Sequence, residues 1–191
     1  MIRLAVLGDI GSGKSYLAKQ FGCPVFNADN EVAKIYKKSV NFYKKIKKVF
    51  PNHKITFPVK KKDISKIIQE KPNSIKKIVK IIHPEIRSKM NKFIKKNKKK
   101  KYVMLDIPLL LENKLNKKKD ILIFVDAKKK EIKKRLKKRS NYNEKIFNKL
   151  KKIQLPLEIK KRKSKFLIKN NFKSFYIKKN VKILKSKILA K

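Results

Sequence analysis

The 191-residue chain has little of what cross-links small proteins or anchors them in membranes. Its one cysteine, Cys23, excludes a disulfide framework and a cysteine-based zinc site. No apolar run approaches the ~20 residues that cross a bilayer, and the chain begins on a strand-like run, not on a secretory leader. We therefore expect a cytoplasmic protein without membrane contact. The length supports a single domain, 1–191, with a substantial core.

Acidic residues are also scarce, with 13 Asp and Glu against 58 Lys and Arg, for a net charge of +45. Such a charge ordinarily indicates a nucleic-acid partner. Nucleic-acid sites rely on the planar fork of arginine, however, and nearly all basic residues here are lysine. The few arginines are Arg3, Arg87, Arg135, Arg139 and Arg162. We interpret the lysines as solvated surface, and predict no specific nucleic-acid partner.

Short apolar runs predict a parallel sheet with buried strands, and hence an α/β fold. Several runs end in a polar residue, at the edge where open α/β sheets bind ligands. The five predicted strands are Ile2–Leu7, Pro24–Asn27, Tyr102–Asp106, Ile121–Val125 and Phe166–Ile168.

The stretch between the second and third strands is longer than a simple crossover requires. Isoleucines at helical spacing over about 30–100 predict an inserted helical region that binds the substrate. Two further helices are predicted over about 128–152, and a last helix is predicted from Asn180 to Ala190.

Glycine is rare, yet three of the four glycines lie in one segment, Gly8–Ser15. This segment fits the phosphate-loop pattern G-x-x-x-x-G-K-[ST] and lies between a predicted strand and a predicted helix. Glycine allows a positive φ, so that successive N–H groups can point inward at an anion. The segment predicts binding of a nucleoside triphosphate. No N-K-x-D guanine-recognition tetrad is present, which argues against a GTPase.

Further motifs follow the phosphate loop in a fixed order, and with them the chain resembles the dephospho-CoA kinase family from Leu4 to about Asn170. The D-x-P-L-L-x-E-N block is the most specific of these motifs. In chain order they are Gly11-Ser12-Gly13-Lys14-Ser15, Asn27-Ala28-Asp29, His83-Pro84-Glu85-Ile86, Asp106-Ile107-Pro108-Leu109-Leu110-Leu111-Glu112-Asn113, Val125-Asp126, Arg135 and Arg139, and Gln154-Leu155-Pro156-Leu157.

The resemblance implies a three-layer fold of the P-loop NTPase type, with a five-stranded parallel sheet, a helical acceptor-binding insertion over about 30–100 and a helical lid over about 128–152. It implies phosphorylation of the ribose 3′-hydroxyl of dephospho-CoA by ATP, which gives coenzyme A and ADP. The partners are then ATP and dephospho-CoA, with Mg²⁺ as cofactor and a monomer favoured. One alternative is another nucleoside-monophosphate-type or shikimate-type kinase. A basic nucleic-acid-binding protein with a vestigial loop is the other.

The donor residues follow from the phosphate loop and the resemblance. Lys14 is expected at the β- and γ-phosphates, and the Ser15 hydroxyl on Mg²⁺. Arg139 and Arg135 would come from the lid and offset negative charge in the transition state, unless both are solvated helix residues. The residues predicted to bind ATP are Gly11, Ser12, Gly13, Lys14, Ser15, Tyr16, Arg135 and Asn170.

The acceptor hydroxyl must lose its proton as it attacks, so a carboxylate within reach is required. Asp29 is the candidate, unless it is the N-cap of a helix that begins near Glu31, with Asn27 or Asn30 as rivals. Asp106 is a candidate for holding Mg²⁺ through water or positioning the acceptor, unless it is a turn residue. The residues predicted to bind the acceptor are Asp29, His83, Asp106, Pro108, Leu109 and Glu112.

Some of these assignments have structural alternatives. His83 could be a buried histidine without a ligand, the leucines of the D-x-P-L-L-x-E-N block could be core, and Glu112 could cap a helix. The chain also departs from the family at Asp9, where a glycine is usual, and at Tyr16, where a threonine is common. We expect the Asp9 side chain to point away from the phosphates.

Overall fold

A computed structural model of the chain describes residues 1–140 and 142–190. Asn141, inside the predicted lid, and Lys191, at the end of the predicted domain, lie outside the described residues. In the described part of the chain, no helix combines the length and the apolar character needed to span a membrane.

The five apolar runs form five strands of one parallel sheet, so the predicted fold class is confirmed. The order across the sheet is β2-β3-β1-β4-β5, with β1 in the middle. The strands are β1 (Ile2–Gly8), β2 (Val25–Asn27), β3 (Tyr102–Asp106), β4 (Ile121–Asp126) and β5 (Phe166–Lys169).

The described residues form nine helices, of which eight lie between these strands and the last follows β5. Four of the helices lie between β2 and β3, and the longest of these four contains Pro84. The helices are α1 (Lys14–Gln20), α2 (Ala28–Lys38), α3 (Val40–Val49), α4 (Lys61–Glu70), α5 (Ser74–Lys96), α6 (Lys129–Lys137), α7 (Glu144–Lys152), α8 (Leu157–Arg162) and α9 (Ser174–Leu189).

The chain folds into two compact units, each with its own packing. The first unit comprises Met1–Asn27, Phe93–Tyr142 and Leu155–Lys191, and it holds the whole sheet. The second comprises Ala28–Lys92 and Asn143–Gln154, and it is helical. The predicted lid, 128–152, therefore contributes α6 to the first unit and α7 to the second.

The core of the first unit lies on the sheet. Alternate residues of β1 point to opposite faces, and Leu4, Ala5, Val6 and Leu7 are all buried, so both faces of the sheet are covered. On one face α1 and α9 pack against the middle strands, while α8 also contacts β1. This coverage leaves the carboxyl ends of the strands as the edge from which polar residues emerge.

The second unit is held by isoleucines at helical spacing. Ile64 and Ile67 of α4 and Ile78 of α5 are buried, as the spacing predicts. The side chain of Lys149 on α7 donates a hydrogen bond of 2.9 Å to the carbonyl of Gln69 at the end of α4. A lysine at a helix C-terminus compensates the unpaired carbonyls there.

Candidate active site

The segment after β1 has the backbone of a phosphate-binding loop. β1 lies between β3 and β4, so the loop leaves the sheet where the strand connections change direction. Gly8, Gly11 and Gly13 all have positive φ, at 143°, 84° and 92°. A Cβ on Gly8 would lie 2.6 Å from the Val125 carbonyl oxygen of β4. The position therefore requires glycine for space as well as for conformation.

Lys14 begins α1 and folds back over the loop. Its Nζ donates to the carbonyl oxygens of Asp9 at 2.7 Å and Gly8 at 3.3 Å. The ammonium group is thus held at the mouth of the loop, where it can exchange these carbonyls for phosphate oxygens.

Asp9, which replaces the usual glycine, is buried and turned onto its own loop. Its Oδ1 accepts a hydrogen bond of 2.7 Å from the backbone N–H of Ile10. One loop N–H is therefore already paired within the chain. The backbone carbonyl of Asp9 also accepts from the Ser12 N–H at 3.1 Å, which closes the loop into a tight turn.

The segment between β5 and α9 contacts the back of the loop. The Asn170 side chain donates to the Ser12 carbonyl at 2.7 Å, and Asn170 is only 6% exposed. Tyr16, where the family commonly has threonine, shares a hydrogen bond of 2.6 Å with the Ser174 hydroxyl. The side chains of Asn170 and Tyr16, which were both predicted to bind ATP, therefore bond to other groups of the protein.

The two predicted lid arginines differ in their surroundings. The Arg135 guanidinium on α6 lies over the Phe172 ring, 4.5 Å from the centroid. Arginine stacks well on aromatic faces, so this contact orders an otherwise exposed side chain. Arg139 is exposed in the turn that follows α6, and its backbone N–H donates to the Leu136 carbonyl.

Asp106 ends β3 at the same edge of the sheet as the phosphate loop. It pairs in register with Asn27, the last residue of β2, and the Asn27 side chain donates to Asp106 Oδ2 at 2.6 Å. Asp106 is 3% exposed, so one carboxylate oxygen is fixed by the amide inside the protein. This arrangement presents a rigid carboxylate at the strand end.

The D-x-P-L-L-x-E-N block follows directly as a series of turns. Leu110 and Leu111 are buried, whereas Pro108 and Leu109 are partly accessible. Glu112 caps no helix in this arrangement. Its Oε1 accepts from the Leu155 N–H at 2.9 Å and forms an ion pair of 2.8 Å with the buried ammonium of Lys160 on α8.

Asp29 lies in the second unit, exposed in the first turn of α2. Since α2 begins at Ala28 rather than near Glu31, Asp29 is a helical residue and the alternative of an N-cap is wrong. Tyr36 lies further along α2, and its pKa is raised well above the usual range by burial, with the Asp29 carboxylate adding to the shift. The negative charge of Asp29 therefore disfavours ionisation of Tyr36 on the same helix.

His83 also lies in the second unit, in α5 directly before Pro84. It is partly buried. The following Glu85 accepts a hydrogen bond of 2.8 Å from the hydroxyl of Ser39, the N-cap of α3. Glu85 therefore holds the N-terminus of α3 against α5.

Among the residues that the structure describes, no group of three or more His, Cys, Asp or Glu side chains could hold a metal ion. A magnesium ion bound with a nucleotide does not need such a cluster, since it takes one or two protein oxygens and otherwise phosphates and water. The exposed Ser15 hydroxyl and the fixed Asp106 carboxylate are hard oxygen donors of the type that Mg²⁺ prefers.

Sequence reasoning missed Phe172 and Lys160. Phe172 lies in a turn with a positive φ of 63°, and no periodicity marks it. Lys160 is 1% exposed but stands in a run of lysines, so nothing in the pattern separates it from its solvated neighbours.

Comparisons with known proteins identify the family of the chain. The family model described as dephospho-CoA kinase matches residues 2–175. A dephospho-CoA kinase of Wolbachia pipientis wMel is 31% identical over 184 residues, which is 94% of each chain. One of Bartonella quintana (strain Toulouse) is 35% identical over 170 residues, 86% of this chain and 87% of the relative.

A solved structure supports the fold. The dephospho-CoA kinase from Campylobacter jejuni superposes with a TM-score of 0.65 and 20% identity, covering 97% of this chain and 96% of that one. The family match spans the sheet, the phosphate loop and every motif on which the sequence comparison depended. The chain therefore belongs to the dephospho-CoA kinase family, the kinases of the final step of coenzyme A biosynthesis.

Proposed function

We propose that the chain transfers the γ-phosphoryl group of ATP to the ribose 3′-hydroxyl of dephospho-CoA, giving coenzyme A and ADP. The observation that carries this proposal is the glycine-rich loop with Lys14 at its mouth, set at the switch point of the parallel sheet. Family membership supports the choice of acceptor.

The donor phosphates bind in the phosphate loop. The backbone N–H groups of Gly11, Gly13 and Lys14 face the anion, and the Lys14 ammonium takes the β- and γ-phosphates. Phosphoryl transfer depends on alignment and charge neutralisation more than on covalent chemistry. A loop whose geometry is fixed before the ligand arrives provides both, because its dipoles need not reorganise during the reaction.

Mg²⁺ would be held by Ser15 directly and by Asp106 through water. When bound, the ion neutralises charge on the phosphates. The Asn27 amide keeps Asp106 in one orientation, which suits a carboxylate that orders water around an ion.

The acceptor hydroxyl gives its proton to Asp29, whose exposed carboxylate on the first turn of α2 is accessible to a substrate. His83, Asp106, Pro108, Leu109 and Glu112 complete the proposed acceptor site. For Glu112 we propose an indirect part, since its Oε1 is occupied by Lys160 and the Leu155 N–H.

Arg139 is proposed to offset charge on the transferring group, and Arg135 to contact the nucleotide while stacked on Phe172. The exposed position of Arg139 just after α6 supports a role that requires a side chain able to reach a ligand.

We further propose that the protein works as a monomer in the cytoplasm, with ATP and dephospho-CoA as partners and no specific nucleic acid. The scarcity of arginine supports the last point. Residual polyanion binding that disappears near physiological salt is expected from charge alone.

The test is the Asp29→Asn variant, which keeps the side-chain shape and removes the base. With Mg²⁺, ATP and dephospho-CoA, we expect kcat to fall by about 10²- to 10⁴-fold. Asp63→Asn is the matched control, since Asp63 also lies in the first turn of a helix in the second unit. Asp29→Asn turning over within a few-fold of the control would refute the assignment of Asp29 as base.

A further inference from the structure

Asn170 has its backbone N–H and both polar atoms of its side chain engaged. The backbone N–H donates to the Asp126 carbonyl at 2.6 Å, and the side-chain Nδ2 donates to the Ser12 carbonyl at 2.7 Å. Its Oδ1 accepts from the Phe172 N–H at 2.7 Å. With 6% exposure, the amide has its polar groups committed inside the protein rather than to solvent.

The bond to Ser12 sets the direction of a donor in the phosphate loop. In a planar trans peptide, the carbonyl of one residue and the N–H of the next point in opposite directions. Asn170 holds the Ser12 carbonyl on the side of the loop that faces the segment between β5 and α9. The Gly13 N–H must therefore point to the opposite side of the loop. Gly13 is also the left-handed N-cap of α1, so this peptide plane orients the helix start as well.

Asn170 leaves no room for a side chain at position 13. A Cβ built on Gly13 would overlap the Nδ2 of Asn170. The third glycine of the loop is therefore required by the amide behind it as well as by its φ of 92°. Gly13 and Asn170, which lie near opposite ends of the chain, form a matched pair.

The other end of the same amide holds the turn of Phe172. That turn has a positive φ of 63°, which is unfavourable for an aromatic residue, and the bond from its N–H to Asn170 stabilises it. The Phe172 ring in turn supports the Arg135 guanidinium at 4.5 Å. One buried amide thus connects the phosphate loop to the arginine stack.

We propose that Asn170 is a positioning residue that aims the Gly13 N–H at the donor phosphates and holds the Phe172 turn, without its side chain contacting the nucleotide base. This replaces direct binding of ATP by the Asn170 side chain, and it rests on the proposed function only in taking the loop as the ATP site.

The test compares ATP with inorganic tripolyphosphate, which has no base. Both are measured as competitors of labelled ADP at about 0.3 M KCl, where exposed charges are screened. For Asn170→Ala we expect both affinities to fall by the same factor, about tenfold, because the loss lies in the phosphate loop. Asn171→Ala is the matched control, since Asn171 is exposed and its side-chain oxygen accepts from the N–H of Lys173, and the substitution should change neither affinity.

Two outcomes overturn the proposal. A loss confined to ATP would mean that Asn170 acts on the nucleoside side of the site and not through the phosphate loop, and no loss for either ligand would mean that the loop is positioned without it. If the alanine variant does not fold, Asn170→Asp serves instead, because it keeps the volume and the acceptor for Phe172 while replacing the donor to Ser12. In the unaltered protein, the assigned Asn170 side-chain NH₂ signal should shift on tripolyphosphate binding, and an unmoved signal would also count against the proposal.

Failure of the proposed function gives a different result. The tripolyphosphate measurement needs no acceptor, so unaltered protein that binds tripolyphosphate but does not phosphorylate dephospho-CoA would refute the acceptor and leave the role of Asn170 intact.

Discussion

The buried ion pair between Lys160 and Glu112 should be a main support of the first unit, and Lys160→Met tests this. Lys160 is 1% exposed, and its ammonium lies 2.8 Å from Glu112 Oε1. Methionine fills the volume of the lysine stem, so the substitution mainly removes the charge. What remains is a carboxylate whose side chain is 11% exposed and whose Oε2 has no hydrogen-bond partner among the described residues.

Removing one partner of a buried pair costs about 3–5 kcal/mol, because the other charge is left uncompensated. In a chain of this length each kcal/mol lowers Tm by about 2–4 °C, so we expect a fall of about 6–20 °C. Lys161→Met is the matched control, since Lys161 is an exposed neighbour and its loss relieves the same excess positive charge. Thermal and urea unfolding at about 0.3 M KCl give both values.

The double variant Lys160→Met, Glu112→Gln separates the pair from packing. Glutamine still accepts from the Leu155 N–H but leaves no buried charge, so the double variant should recover much of the lost stability. A single Lys160→Met variant as stable as Lys161→Met would refute this reasoning, as would a double variant whose losses simply add.

Three further predictions concern charge and titration. Tm should rise between about 10 mM and 0.3 M KCl, because salt screens the repulsion of a +45 chain, and a Tm independent of salt would contradict this. Burial raises the pKa of the Cys23 thiol, with the Lys185 charge opposing, so a thiolate-selective reagent at about pH 8 should label it more slowly than a cysteine in a short peptide. Burial raises the pKa of Glu31, but hydrogen bonds and charges from Lys34 and Lys89 outweigh it, so the folded-state pKa is lowered. Its stabilisation is present above the ordinary value of 4.5 and lost as pH falls through the lower folded value, so Glu31→Gln should lower Tm slightly at pH 7, and this effect should shrink as pH falls below 4.5.

The strands could be predicted from the sequence because a buried parallel strand is a short apolar run that ends in a polar residue. The prediction for Tyr102–Asp106 matches β3 at both ends, and that for Ile121–Val125 falls one residue short of β4. The order of the strands does not follow from such runs, since it depends on which crossovers pass over β1.

The last helix was predicted to begin at Asn180, and this was wrong, since α9 begins at Ser174. Its buried stripe starts only at Ile177, while Phe175 in the first turn is 71% exposed. An exposed aromatic residue at a helix start disturbs the apolar periodicity from which a helix is predicted. The short helix α8 was missed because six residues are too few to show helical periodicity.

Part of the candidate site could likewise be predicted from the sequence and part could not. The phosphate loop could be predicted because its glycines and its lysine are fixed by backbone chemistry. The engagement of Glu112 with Lys160, and of Asn170 with Ser12, could not, since both depend on contacts between segments far apart in the chain. The roles of Asp29, His83 and Arg139 remain predictions.

The most direct measurement is ATP consumption by the unaltered protein with Mg²⁺ and each of four acceptors: dephospho-CoA, AMP, CMP and shikimate. We predict turnover with dephospho-CoA alone, with the product phosphate on the ribose 3′-hydroxyl. Turnover with another acceptor, or ATP binding without turnover of dephospho-CoA, would contradict the account.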